Sequence, residues 1–332
     1  MTIKLGALYQ KFDNILRPKD KNVKPIKNSI FEHKSNILLD IEILDKINKH
    51  ISKNPFEYYI ICELTNVNKW YSIEWAKLQE DLRIPVHYPP DYVHRKAWEW
   101  VQCIYGLEKL GVLNERSICL GVGVGYEPII YYLSNRVMRV IATDLYDESS
   151  TWAVNEGNPE ILYDVDKFAP FPYKKECLEI RRMDGRQLEF SENTFDFIWS
   201  CSSIEHFGGH EEATKTMREM ERVLKPGGIL ALATEFVIDQ NIIPGFNAKH
   251  TNTPFGDFFN LEDIYKYLIA SHKMKLVQNI NFSMEEYYIK NHIKLPEEAL
   301  SPHTIKYRKP HIVLSWEDVL FTSIFLFFRK EL

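Results

Sequence analysis

The sequence lacks the basic surplus that a nucleic-acid-binding protein carries. Its 41 lysines and arginines are outnumbered by 46 aspartates and glutamates, for a formal net charge of −5. Affinity for a phosphate backbone comes largely from neutralised phosphates, so nucleic acid is excluded as an expected partner. The lysine-rich stretch Lys19 to Lys27 holds Asp20 and Pro25, follows Pro18, and reads as a solvated loop. Cysteine is scarce as well. Cys62, Cys103, Cys119, Cys177 and Cys201 stand apart, with no Cys-x-x-Cys pair. Such a set predicts reduced thiols in a cytoplasmic protein, and neither disulfides nor a metal site. Long apolar runs are missing too. The N-terminus shows no signal core, and Val319 to Phe328 is about half the length of a bilayer span. That run contains Thr322 and Ser323 and predicts a buried strand, so no membrane span is expected. There is no internal repeat, and no signal for an oligomeric state.

What is present is globular: 45% hydrophobic and 26% charged residues, enough for a sizeable core. The chain divides into residues 1–90, a helical extension, and residues 91–332, the main domain. In the extension Ile37, Ile41, Leu44 and Ile51 share a helical face that Ser35 could cap, and Pro85, Pro89 and Pro90 mark its exit. Beyond it, strand and helix patterns alternate. A helix over Tyr92 to Leu110 precedes short apolar runs at Ser117–Leu120, Arg139–Thr143, Leu178–Met183, Phe195–Ser200 and Ile229–Thr234. A second helix covers Glu211 to Leu224, with Ala213, Met217 and Met220 on one face. This alternation predicts an α/β fold with a mainly parallel sheet. A capped helix from Leu261 to His272, a strand from Leu276 to Phe282 and the run at Phe321 to Phe328 complete the chain.

The strongest local signal is Gly121-Val122-Gly123-Val124-Gly125, directly after an apolar strand and before a helix. Glycine lets the chain turn sharply and lets backbone approach a ligand, and a helix N-terminus attracts an anion. The dinucleotide fingerprint needs Gly or Ala at the sixth position, but Tyr126 stands there, which disfavours nicotinamide chemistry. Asp144 ends the next strand, where a carboxylate can accept two ribose hydroxyls. Asp184-Gly185 follows the third strand and could hold the amino edge of an adenine ring.

With Phe195-Asp196-Phe197-Ile198 and Arg222-Val223-Leu224-Lys225-Pro226-Gly227-Gly228 in order behind them, these elements resemble a family. From Ser117 to Phe236 the chain is similar to class I S-adenosylmethionine-dependent methyltransferases of the methyltransferase type 11 sort. The resemblance implies a Rossmann-like seven-stranded sheet whose last strand is antiparallel. It implies S-adenosylmethionine as cofactor, with Gly121, Gly123, Gly125, Asp144, Leu145, Asp184, Gly185 and Ser200 at the donor site. The loop after the fourth strand holds Glu205 and His206. His206, with an ordinary pKa near neutrality, is the candidate base, and Glu205 could orient it. Glu235, just past the fifth strand, is a candidate substrate contact. His94 and Arg95 could belong to a lid or to an exposed helix start, and Trp70, Tyr71, Trp75, Trp98 and Trp100, which could form a sugar or ring platform, read best as packing of the N-terminal helices on the sheet. Phe168 to Tyr173 and Ser203 to Gly209 look similar to methyltransferases associated with bacterial surface-polysaccharide synthesis. The expected acceptor is therefore a hydroxyl or amine of a small polar metabolite or glycan precursor. The rival from another class is a noncatalytic scaffold that keeps the fold, which the intact glycines and Asp144 disfavour.

Overall fold

In the computed structural model, which describes residues 34–36, 41–84, 93–147, 158–238, 251–295 and 310–332, the predicted apolar runs lie side by side in one sheet. They form β1 (Ile118–Val122), β2 (Arg139–Asp144), β3 (Leu178–Arg182), β4 (Phe195–Cys201) and β5 (Leu224–Ile238). The closing strands are β6 (Leu314–Trp316) and β7 (Val319–Arg329). Their order is β6-β7-β5-β4-β1-β2-β3, and β7 alone of these seven runs antiparallel to its neighbours. Central strands read as continuous apolar runs because helices cover both faces of a parallel sheet. The edge strand β3 instead carries Glu179, Arg181 and Arg182, the charges that blunt an exposed edge.

Three helices matter for the site. α1 (Arg95–Lys109) buries Trp98, Val101, Ile104 and Tyr105 at helical spacing. It lies so close to β7 that a Cβ built on Gly106 would fall on the Phe327 ring. α2 (Pro128–Ser134) follows β1, and α3 (His210–Val223) buries Ala213, Met217 and Met220 with Glu211 and Glu212 in its first turn. The chain leaves β1 toward β2 and β3, then returns to β4 on the other side of β1. The strand order reverses there, so the loops after β1 and β4 open on the same crevice.

The outer edge of β7 differs from the expected single neighbour. Lys275–Leu276, Glu63–Leu64 and β6 pair with it one after another, and Ile293–Leu295 extends the sheet past β6 to ten strands. The region expected as a helical extension thus also supplies a strand. Ser35, expected as a helix cap, sits in the extended pair Lys34–Asn36 opposite Met284. The helix is only Ile41–Asn48. Its first residue, Ile41, is 74% exposed while Ile47 is buried, because an eight-residue helix reaches the core only with its later turn. The expected strand at Leu276–Phe282 shrinks to two residues. Gln278 leaves the ladder and accepts the amides of Ile61 and Cys62 at 2.7 and 2.9 Å. The expected helix at Leu261–His272 is one α-turn, capped by Asn260 with Asp263, that continues as a π-helix over Ile264–Ile269. Trp70, Trp75 and Trp98 are fully buried, as packing requires, whereas Trp100 is half-buried and Tyr71 is 50% exposed. Among the described residues no helix is long and apolar enough to cross a membrane.

Candidate functional site

β1 ends in a loop that needs glycine for two reasons. Gly123 and Gly125 adopt φ of +66° and +48°. A Cβ on Gly123 would also stand 2.7 Å from Cβ of Ser203, and one on Gly121 would meet the Trp199 ring at 2.5 Å. The loop amides turn toward β2. Gly123 and Val124 donate to the Thr143 carbonyl at 2.8 and 3.2 Å, and Gly125 donates to Oδ2 of Asp144 at 2.9 Å. α2 begins with Pro128, which has no N–H, and Glu127 at its N-cap adds a carboxylate. The cation at this end is Lys96, whose Nζ lies 3.3 Å from Glu127 Oε1 and donates to the Cys201 carbonyl at 2.6 Å.

Asp144 stands where the sequence puts it. Its Oδ1 accepts from the Leu145 amide at 2.7 Å, and the Tyr146 amide also bonds the carboxylate, leaving part of its acceptor capacity for a further donor. Burial raises its pKa against these backbone bonds. Asp184 is held by the Arg186 guanidinium at 2.7 to 3.0 Å, which keeps its carboxyl below the usual range. A Cβ on Gly185 would meet Val122 at 2.8 Å and the Phe207 ring at 2.9 Å. Phe207 therefore sits between the glycine loop and Gly185, a role no sequence motif marked.

These groups line one end of a cavity of about 550 Å³. Of the predicted site residues, Gly123, Gly125, Asp144, Leu145, Asp184, Gly185, His206 and Glu235 border it. Gly121, Ser200 and Glu205 do not. Gly121 is packed under Trp199, and Ser200 is 1% exposed inside β4. The chain bends only at Ser202, with φ of +47°, so Ser202 and Ser203 reach the cavity instead. Glu205 turns to β5, where Thr234 Oγ1 donates to its Oε2 at 2.9 Å. Burial, then the nearby Glu235, pushes the Glu205 carboxyl well above the carboxylate range.

His206 faces the cavity under Gly256, where an added Cβ would lie 2.9 Å from its Nδ1. Desolvation, Lys96 and Arg95 push its pKa down to about 3. The expected value near neutrality is corrected: the ring is neutral across the physiological range and a weak base. Glu235 sits at the far end of the cavity. Its Oε1 is ion-paired with Nη1 of Arg95, which also reaches Glu99 Oε1 at 3.2 Å and Ser323 Oγ at 3.0 Å. Its Oε2 is buried and has no hydrogen-bond partner among the described residues. Desolvation raises its pKa despite Arg95.

His94 and Arg95 are in the cavity wall, not on an exposed helix start. His94 caps α1 by accepting from the Lys96 amide at 3.1 Å, and its ring stacks on His311 with centroids 3.9 Å apart. Burial, then Arg95, pushes His311 down to about 3. Phe255, Phe258, Leu295, Leu314 and Phe321 complete this end with apolar surface. Sequence reasoning missed His311 and the apolar wall, which come from segments far from every motif. Among the described residues no cluster of three or more His, Cys, Asp or Glu could hold a metal ion.

Residues 120–232 match a family model described as a methyltransferase domain. The chain is also 42% identical over 50 residues to the methyltransferase GfsG of Streptomyces halstedii, which is 15% of this chain. The matched stretch spans 17% of that relative's length. Among solved structures, the YcgJ protein of Bacillus subtilis aligns with a TM-score of 0.45 and 17% identity over 71% of this chain and 99% of its own. A SAM-dependent methyltransferase of Aquifex aeolicus aligns with a TM-score of 0.38 and 14% identity over 77% of this chain and 99% of its own.

Proposed function

We propose, from the premise that residues 120–232 are a class I S-adenosylmethionine-dependent methyltransferase domain, that this chain transfers a methyl group to a hydroxyl or amine. The observation that carries the reading is one cavity bordered at one end by Gly123, Gly125, Asp144 and Asp184 and at the other by Glu235.

The residues fit the cofactor that the family implies. Asp144 borders the cavity and keeps acceptor capacity for a ribose hydroxyl, and Gly185 leaves a surface that any side chain would fill. Lys96, 7% exposed and bordering the cavity, offers a cation to the methionyl carboxylate. Leu145, 47% exposed, and Phe207 supply apolar contact for the adenine, with Asp184 toward its amino edge. When bound, the sulfonium supplies a methyl carbon that is already activated. The protein then has to orient the acceptor and exclude water. His94 and Arg95 close the cavity from the start of α1, and Phe207 and Phe258 keep its walls dry.

As the acceptor we favour a small polar metabolite or glycan precursor, which links the protein to polysaccharide biosynthesis in the cytoplasm, with neither nucleic acid nor a membrane span involved. Residues 91–332 would form the catalytic domain, braced by residues 1–90 through Glu63–Leu64. Calorimetric titration with S-adenosylhomocysteine, beside Asp144→Ala, tests the donor site. Micromolar-range binding that the substitution weakens at least about tenfold is expected. Folded wild-type protein that does not bind would point to the noncatalytic scaffold.

A further inference from the structure

Given methyl transfer as proposed above, we infer that Glu235 takes the proton of the acceptor's hydroxyl or amine, and that the acceptor carries this group on an apolar face laid against Phe255, Phe258, Leu314 and Phe321. Glu235 is 4% exposed, and Arg95 fixes only one of its two oxygens. Arg95 is itself held by Glu99 and Ser323, through the same Nη1 that meets Glu235. Glu235 borders the cavity, and its buried Oε2 has no donor among the described residues. A buried carboxylate oxygen in that state calls for an O–H or N–H from a ligand. The other groups around it are the cations Arg95 and Lys96, the acids Glu99 and Glu205, and the histidines His206 and His311. Neither histidine competes for the role, since both rings stay neutral and weakly basic.

The substrate class follows from the wall opposite. Phe258, Leu314 and Phe321 belong to a hydrophobic cluster separate from the main core, and Phe255 and Leu295 pack against it. The Phe258 and Phe321 rings meet at a tilt with centroids 4.5 Å apart, and Phe255 meets Trp316 edge-on at 5.2 Å. A hydroxyl pressed against these rings would lose its water and gain no partner. Among polar metabolites and glycan precursors, this selects those with a deoxygenated, alkyl or aromatic face beside the reacting group. In the transfer the sulfonium C–S bond breaks with its electron pair left on sulfur. The methyl carbon bonds to the acceptor oxygen or nitrogen, and the acceptor's proton moves to Glu235 Oε2 and on to solvent.

The test uses 2-naphthol and D-glucose as probes, titrated into the full-length protein with and without saturating S-adenosylhomocysteine. The Glu235 carboxyl is followed by carbon-13 NMR. We expect 2-naphthol to bind at least tenfold more tightly than glucose and to shift the Glu235 signal. Glu235→Gln should weaken it about tenfold and Phe255→Ala several-fold, with circular dichroism unchanged and S-adenosylhomocysteine affinity kept within threefold. Phe255 is only half-buried, so its variant is a second probe should Glu235→Gln not fold. Equal binding of glucose, or naphthol binding indifferent to both substitutions, overturns the inference while leaving donor binding intact. Loss of S-adenosylhomocysteine binding by the wild type would instead overturn the methyl-transfer reading, and the naphthol titration of the free protein would still report on Glu235.

Discussion

The two ends of the cavity are built in opposite ways. At the end proposed to take the donor, each group follows its strand within a few residues: the glycines after β1, Asp144 at the end of β2, Asp184 after β3. Backbone does most of the positioning there, through positive φ and amide bonds to Thr143 and Asp144. The acceptor end draws on the start of α1, the end of β5, the 255–258 segment, Leu295, His311, β6 and β7. Side chains do the positioning there, in an ion pair, a histidine stack and a small apolar cluster. A site set by backbone is strict about glycine and indifferent to what lies far off in sequence. One set by side chains can be retuned by single substitutions without disturbing its neighbour.

The sharpest way to separate the ends is to damage each alone. Gly123→Val combines a forbidden φ with a clash at Ser203, each costing on the order of 1–3 kcal/mol. S-adenosylhomocysteine affinity should fall by about a hundredfold or more, as calorimetry would read directly. Glu235→Gln should leave that affinity within a few-fold and lower kcat by roughly 10²–10⁴, the usual worth of a positioned base. If Glu235→Gln instead destroys donor binding, the two ends are not separable. His206→Ala should matter less, within about tenfold in kcat, because a ring whose pKa is pushed down to about 3 is a weak proton acceptor. A loss from His206→Ala as large as that from Glu235→Gln would return the base to His206.

The smallest effect is on stability against pH. His206, His272 and His311 have folded pKa values pushed down to about 3, 4 and 3 from an ordinary 6.5. Their unfolded forms take up protons first, so stability present above about pH 6.5 is lost as pH falls toward 3, by up to ~1.4 kcal/mol per unit for each. Glu205 and Glu235 shift upward and act in reverse, adding stability as pH falls toward their ordinary 4.5. The opposition ends there. Chemical denaturation between pH 7 and 3.5 should show a shallow slope above about 4.5 and a steeper one below. A single uniform slope would mean that the acceptor-end carboxyls are ordinary.

The same contrast decides how much of the molecule is legible in its sequence. A turn glycine, a strand-end aspartate and the order of strands are local patterns, so the sheet and most residues at the glycine-loop end of the cavity can be read directly. Ser200 and Glu205 sit in the right stretch but point elsewhere, because only the bend at Ser202 decides which side chains reach the cavity. Arg95 and Glu235, far apart in sequence, carry no motif that announces their ion pair. His311 and the apolar wall come together only through the fold itself. Lys96 is hidden because a lysine in the first turn of a helix ordinarily reads as solvated surface, yet this one is buried.

The outer edge of β7 has a consequence for how the chain comes to be folded. Glu63 and Leu64 hydrogen-bond beside Phe325 and Ile324, and the Thr65 amide donates to the Ser323 carbonyl at 3.0 Å. The sheet therefore closes through a contact between the first and last parts of the sequence, the slowest kind for a searching chain to find. Until it forms, the middle of that edge, around Ile324 and Phe325, stays open to any passing β-segment. During synthesis that edge is the place where a chaperone would do most good, and where aggregation would start without one.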